Sequence, residues 1–185
     1  MEQSSRGHQS LAQGETERRA GRAEDARRTF SEAIAQFRAE CDLPGEAKAL
    51  TRQAQIARDT GNLDWALHDQ IQAIALFRRI GDGPALAHAL RHGGDMFAEH
   101  DQLAHATAHL HEALDLYRAG IEAPPLDFAN ALRSVALLAE ALDEPAEARH
   151  YWEEARDLYA GLDVLFDGEN AGVREAEAHL AALAG

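Results

Sequence analysis

Six histidines crowd the stretch "HALRHGGDMFAEHDQLAHATAHLH", residues 88 to 111. Two pairs, His88 with His92 and His105 with His109, stand four residues apart. On a helix that spacing makes neighbours of the two side chains, about 5 to 6 Å apart. Two imidazoles so placed can grip one zinc or nickel ion, and Asp95, with Glu99, can complete a site with His88 and His92. A zinc protease needs more, a glutamate directly after the first histidine to activate the metal-bound water. Ala89 and Ala106 stand there, which excludes that chemistry. No nucleophile, phosphate-cradling glycine loop or paired-carboxylate arrangement stands out elsewhere. Acidic residues are numerous, but they are spread along faces where charge serves solubility and i,i+4 pairing.

Composition narrows the remaining choices. The chain has 185 residues, enough to bury a sizeable core as one domain, with 18 basic against 32 acidic side chains and a formal charge of -14. Binding to nucleic acid or to an anionic membrane depends on clustered Lys and Arg, and no such run exists, so neither is expected as a partner. A protein or peptide ligand, basic or amphipathic included, stays open. Cys41 is the single cysteine, which rules out an internal disulfide and a cysteine zinc framework and fits a reducing cytoplasm. The N-terminal "MEQSSRGHQSLAQGETERR" has no apolar core of signal-peptide length, and no window reaches the roughly 18 apolar residues of a membrane span. A cytoplasmic protein without cofactor is expected.

Abundant alanine, scarce β-branched residues and apolar positions recurring at three and four predict helices throughout. Punctuation falls at "CDLPGE", "TGN", "IGDGP", "EHDQ", "IEAPP", "ALDEP" and "LFDGEN", and Pro44, Pro84 and Pro125 suit first helical turns. The segments between are copies. Phe37, Phe77 and Tyr117 are spaced 40 and 40 apart, and Tyr159 follows 42 later. The turns "GRAEDA", "GNLDWA", "DQLAHA" and "DEPAEA" align with them. This register places Gly14, Ala54, Gly94 and Ala136 in each first helix. Ala26, Ala66, Ala106 and Ala148 open each second helix, with Ala33, Ala73, Ala113 and Ala155 seven further on. Small side chains at fixed places let helices approach closely, while Phe30, Leu110 and Trp152 fill the gaps.

The small, Ala, Ala pattern with its "G-x-x-x-x-A" turn resembles the tetratricopeptide repeat, over residues 8 to about 166. The period of 40 to 42 is similar to the long-helix variety found in kinesin light chains and many bacterial proteins. The resemblance implies an all-α fold, a right-handed superhelical stack of antiparallel helix pairs forming one domain over residues 1–185. Its repeats would run approximately 8–41, 44–82, 84–122 and 125–166, with a capping helix at 170–183. Gln13, Gln53 and Gly93 depart from the family by standing where an apolar residue is usual, as does Arg156 at an expected leucine. Gly93 has no packing explanation in the register, and glycine inside a helix costs roughly 1 kcal/mol relative to alanine.

Family geometry further implies that the first helix of each pair lines a concave groove. Offsets from Ala54, Gly94 and Ala136 then nominate Lys48, Thr51, Arg52 and Gln55 in the second repeat and His88, Arg91, His92 and Asp95 in the third. In the fourth they nominate Asn130, Arg133, Ser134 and Leu137. Arginine forks and amide side chains can hold carboxylates and the backbone of an extended peptide. Family members that clamp a carboxylate combine Lys, Asn and Arg across three units; His88, His92 and Ser134 disturb that combination, so a chaperone tail is not the expected ligand. The same register splits the histidines, with His88 and His92 on the inner helix and His105 and His109 on the outer face of its partner. Solvated or hydrogen-bonded histidines are therefore expected rather than a metal centre, with His88, His92 and Asp95 as the weak candidates for one. Trp65 aligns with Asp25, His105 and Glu147, polar outward positions, and an exposed tryptophan there points either to a contact with another chain or a second copy of this one, or to a ring lying flat over the aliphatic stems of neighbouring arginines. The reading is a non-enzymatic scaffold that binds a protein or peptide segment, the alternative being a metal-binding sensor or enzyme centred on the third repeat.

Overall fold

The computed structural model describes residues 5–162 and 170–184; the expected turn at "LFDGEN" and the end of the fourth repeat at 166 lie outside the described residues, Asn170 excepted. Among the described residues there are nine helices and no strand: α1 (Arg6–Arg19), α2 (Ala23–Glu40), α3 (Leu43–Asp59), α4 (Leu63–Ile80), α5 (Gly83–Glu99), α6 (Leu103–Arg118), α7 (Pro125–Ala141), α8 (Pro145–Ala160) and α9 (Ala171–Ala182). None is long and apolar enough to cross a membrane.

Among the described turns, local chemistry stops one helix and starts the next. Cys41 ends α2 in the left-handed region at φ 57°, and the Asp42 side chain then accepts the Gly45 N–H at 2.9 Å, capping α3 just ahead of Pro44. Gly81, at φ 79°, ends α4, and Asp82 accepts the Ala85 N–H at 3.0 Å. In "EHDQ" and "ALDEP" the left-handed position is filled by Asp101 and Asp143 instead of glycine, a residue type that tolerates this backbone better than most.

The chain divides into two compact units, Met1–Ala89 and Leu90–Gly185, the boundary falling within α5. In the first unit, α1 packs on α2, α2 on α3 and α3 on α4. Its core contains Ala26, Phe30 and Ile56, with Leu11 and Ala23 against them. Gly14 is a requirement of this packing, since a Cβ there would lie 2.6 Å from the Phe30 ring. Phe37 is held in the same way, its ring 2.7 Å from where Gly7 would carry a Cβ and closer still at Gly45.

In the second unit, α6 packs on α7, α7 on α8 and α8 on α9. A Cβ on Gly94 would meet Leu110 Cδ2 at 2.6 Å, so the aligned glycine of the third repeat has the same cause as Gly14. Trp152 is fully buried and donates its indole N–H to Glu140 at 2.6 Å. His179 of α9 stacks on that indole at 4.4 Å between ring centroids, and Glu140 lies 2.9 Å from its Nδ1. The Tyr159 ring lies 2.5 Å from the position a Gly172 Cβ would take. Helix α9 thus covers the last helix pair through specific contacts, as a terminal cap must.

Candidate functional site

The residues nominated from the register are on the expected helices, and most of them are engaged within the chain. In the second unit most are engaged. Arg133 donates two hydrogen bonds to Glu175 of the cap, Nε at 2.8 Å and Nη2 at 2.6 Å. That fork holds the Glu175 carboxyl below its ordinary range and raises the Arg133 guanidinium further. Asn130 accepts the Tyr159 hydroxyl at 2.7 Å, and burial pushes that phenol up to about 12. Ser134 is buried and returns its hydroxyl to the Asn130 carbonyl at 3.1 Å, so it offers no groove surface. Arg91 is also buried, donating to Asp95 at 3.0 Å, with its Nη2 2.7 Å from His92 Nε2.

This last contact bears on the metal reading. A guanidinium stands against Nε2 of His92, one of the two nitrogens through which that imidazole could hold a metal ion, and Asp95 pairs with the guanidinium. Among the described residues no three or more His, Cys, Asp or Glu side chains come together to hold an ion. His105 and His109, on the partner helix, lie against Phe97 at ring distances of 5.1 and 4.9 Å, and His109 Nδ1 lies 2.9 Å from the His105 carbonyl. Phe97 explains their orientation.

In the first unit Thr51 is buried, its hydroxyl donating to the Ala47 carbonyl at 3.0 Å, while Lys48 is exposed. Lys48, Thr51 and Arg52 of α3, with His88 of α5, line one open cavity of about 390 Å³. Its other wall comes from α1: Leu11, Glu15, Arg18 and Arg19. Glu15 sits between two arginines, 3.1 Å from Arg18 Nη2 and 2.5 Å from Arg52 Nε, and Arg52 also donates to Gln55 at 3.1 Å. Arg19 and Lys48 are exposed at the rim, and among the described residues neither is engaged by a carboxylate. Four basic side chains therefore face one acidic residue, a local excess of positive charge in an acidic chain. The α1 wall had a signal in the sequence: the offsets that give Thr51 and Gln55 from Ala54 give Leu11 and Glu15 from Gly14.

Trp65 is 60% exposed near the start of α4. It borders a second cavity of the first unit, with Asp69 one turn further along the same helix.

No family model matches the chain, and no curated protein does either. Solved structures share its fold. BtubC (BKLC) from P. vanneervenii superposes with a TM-score of 0.77 at 15% identity, over 85% of this chain and 64% of its own. A putative kinesin light chain from Podosopora anserina with nearly identical TPR-like repeats gives 0.76 at 15% identity, over 99% and 87%. The apo form of RapI gives 0.79 at 14% identity, over 95% of this chain. The chain thus spans less than two thirds of the length of BtubC and 52% of RapI. Paired helices, small residues in a fixed register and these neighbours together identify an all-α, tetratricopeptide-like repeat fold.

Proposed function

We propose that this chain is a non-enzymatic interaction scaffold that binds a peptide or protein segment along the first helices of its repeats. The observation that carries the reading is the cavity in which Lys48, Arg52 and His88 converge with Arg18 and Arg19. Its chemistry suits a segment carrying carboxylates: Arg19 and Lys48 extend from the rim, and Arg52 can exchange Glu15 for a ligand carboxylate without leaving a charge unpaired. Arg91 and Arg133 act on this reading as supports, because each already has an acidic partner. A structural neighbour from Pyrococcus horikoshii is described as a signal transduction ATPase with a tetratricopeptide repeat sensor, and a sensing role of that kind is compatible with such a cavity. The scaffold is placed in the cytoplasm, with its helix pairs serving as one domain and neither nucleic acid nor membrane as partner.

Affinity capture from the native lysate tests this, comparing wild type with the double variant Arg19→Glu, Lys48→Glu. Both positions are exposed, so the variant keeps its fold, as circular dichroism would verify. A protein captured by wild type and lost with the variant is the expected result. Equal capture by both would reject the cavity as the binding surface.

A further inference from the structure

The register shows one place where the second repeat is built differently from the others. The position three residues after the small packing residue of each first helix faces one near the start of the second helix. In the first pair these are Glu17 and Thr29, joined by a buried hydrogen bond of 2.7 Å. In the third pair they are Phe97 and His109, with rings 4.9 Å apart. In the fourth they are Ala139 and Tyr151, both buried, and the tyrosine supplies the bulk. The second pair has Ala57 and Asp69, a methyl group opposite a carboxylate. No side chain fills the gap, and a cavity of about 300 Å³ lies there, lined by both residues together with Gln53, Thr60 and Trp65.

Asp69 is only 4% exposed, and one of its carboxylate oxygens, Oδ2, has no hydrogen-bond partner. Gln53 hydrogen-bonds to the same carboxyl, and burial raises its proton affinity above the ordinary aspartate range. A buried carboxylate oxygen with no protein donor costs stability, and a cation reaching it through the cavity would recover that cost. Trp65, one turn earlier on the same helix face, borders the cavity with its indole largely exposed; Glu24 and Arg27 of α2 also line it and pair with each other at 3.1 Å, which leaves Asp69 as its uncompensated charge.

We infer that this cavity receives a lysine side chain of a basic partner protein, its ammonium on Asp69 Oδ2 and its stem across the Trp65 ring. A compact ammonium suits a single open oxygen, whereas a guanidinium fork needs two. The indole face attracts a cation and covers the methylene stem. The charge of -14 draws a basic partner toward the surface. This cavity lies on a different face of α3 from Lys48 and Arg52, so the two sites stand or fall separately.

The test is a titration of the full chain with N-acetyl-lysine methylamide, followed by the indole N–H resonances of the two tryptophans. Trp152 is fully buried and serves as the internal reference. A saturable shift of the Trp65 signal is expected, absent with the norleucine analogue and unchanged in Lys48→Glu. Asp69→Asn, which keeps the side-chain shape, is expected to raise Kd by about tenfold. Trp65→Ala, followed through the Asn62 side-chain amide, is expected to raise it by about threefold. Absence of saturation, an equal response to norleucine, equally tight binding of the arginine analogue, or an unaltered Kd in Asp69→Asn would each overturn the assignment. So would a Trp65 signal that moves with protein concentration alone, which would give the surface to a second copy of the chain.

Discussion

Replacing Gly94 by alanine sets two effects of known size against each other. Alanine in a helix interior is favoured over glycine by about 1 kcal/mol. At this position, however, the new methyl group would lie 2.6 Å from Leu110 Cδ2, and Leu110 is itself 1% exposed, so it has no free space into which to turn. Forcing a methyl group into a packed core costs about 1 to 3 kcal/mol. The net expectation for Gly94→Ala is a loss of about 1 kcal/mol, measured by urea unfolding, although Ala54 and Ala136 carry that methyl group without exposure in their own repeats. Leu110→Ala alone should cost about 3 kcal/mol. In the double variant the methyl group occupies part of the vacated space, so the total should fall at least about 1 kcal/mol below the sum of the two. If Gly94→Ala stabilises the chain and the double variant is additive, close helix approach is not the reason for glycine there.

Four further outcomes follow from other contacts of the fold. Arg133→Ala should loosen the cap: both partners are about one third exposed, so the cost is about 1 kcal/mol, and hydrogen exchange should accelerate in α9 more than in α7. Glu175 has its folded pKa lowered by this pairing, so the stabilisation is fully present above the ordinary glutamate value and is lost as pH falls through the lowered one; acid melts of wild type and Arg133→Ala should converge in that window. Asp69 has the opposite sign, because burial raises it: its ionisation costs stability as pH rises from the ordinary aspartate value through the raised one, so Asp69→Asn should melt higher than wild type near neutrality and lose this dependence. Trp152→Phe keeps a six-membered ring in the core but removes the indole N–H that Glu140 accepts and the space its pyrrole ring fills, and should cost at least about 1 to 2 kcal/mol by equilibrium unfolding.

The repeat architecture was legible because packing small residues against large ones leaves a periodic trace: Gly14, Gly94 and the alanine columns fall where the register puts them. A further column of small residues, Gly7, Ala47, Ala87 and Ala129, lies seven residues before the packing positions and is buried in every repeat. It could have been read from the same alignment. The groove was legible only in part, since periodicity tells which face a residue shares and nothing about what reaches it from far along the chain. Glu15 pairs with Arg52 across 37 positions, and Glu175 with Arg133 across 42. Those partners decide that Arg133 anchors a cap while Lys48 remains at a rim. Gln70 is a similar case: it aligns with Phe30, Leu110 and Trp152 and is equally buried, donating to the Ala89 carbonyl at 2.6 Å, yet its polarity hid it from an apolar pattern.

The central claim, that a partner segment is held by the first helices of the first unit, is tested most directly by hydrogen exchange of the chain with and without its captured partner. Protection is predicted in residues 11–19 of α1 and 48–55 of α3, and it should vanish with Arg19→Glu, Lys48→Glu. Partner binding that leaves exchange in both segments unchanged would contradict the account.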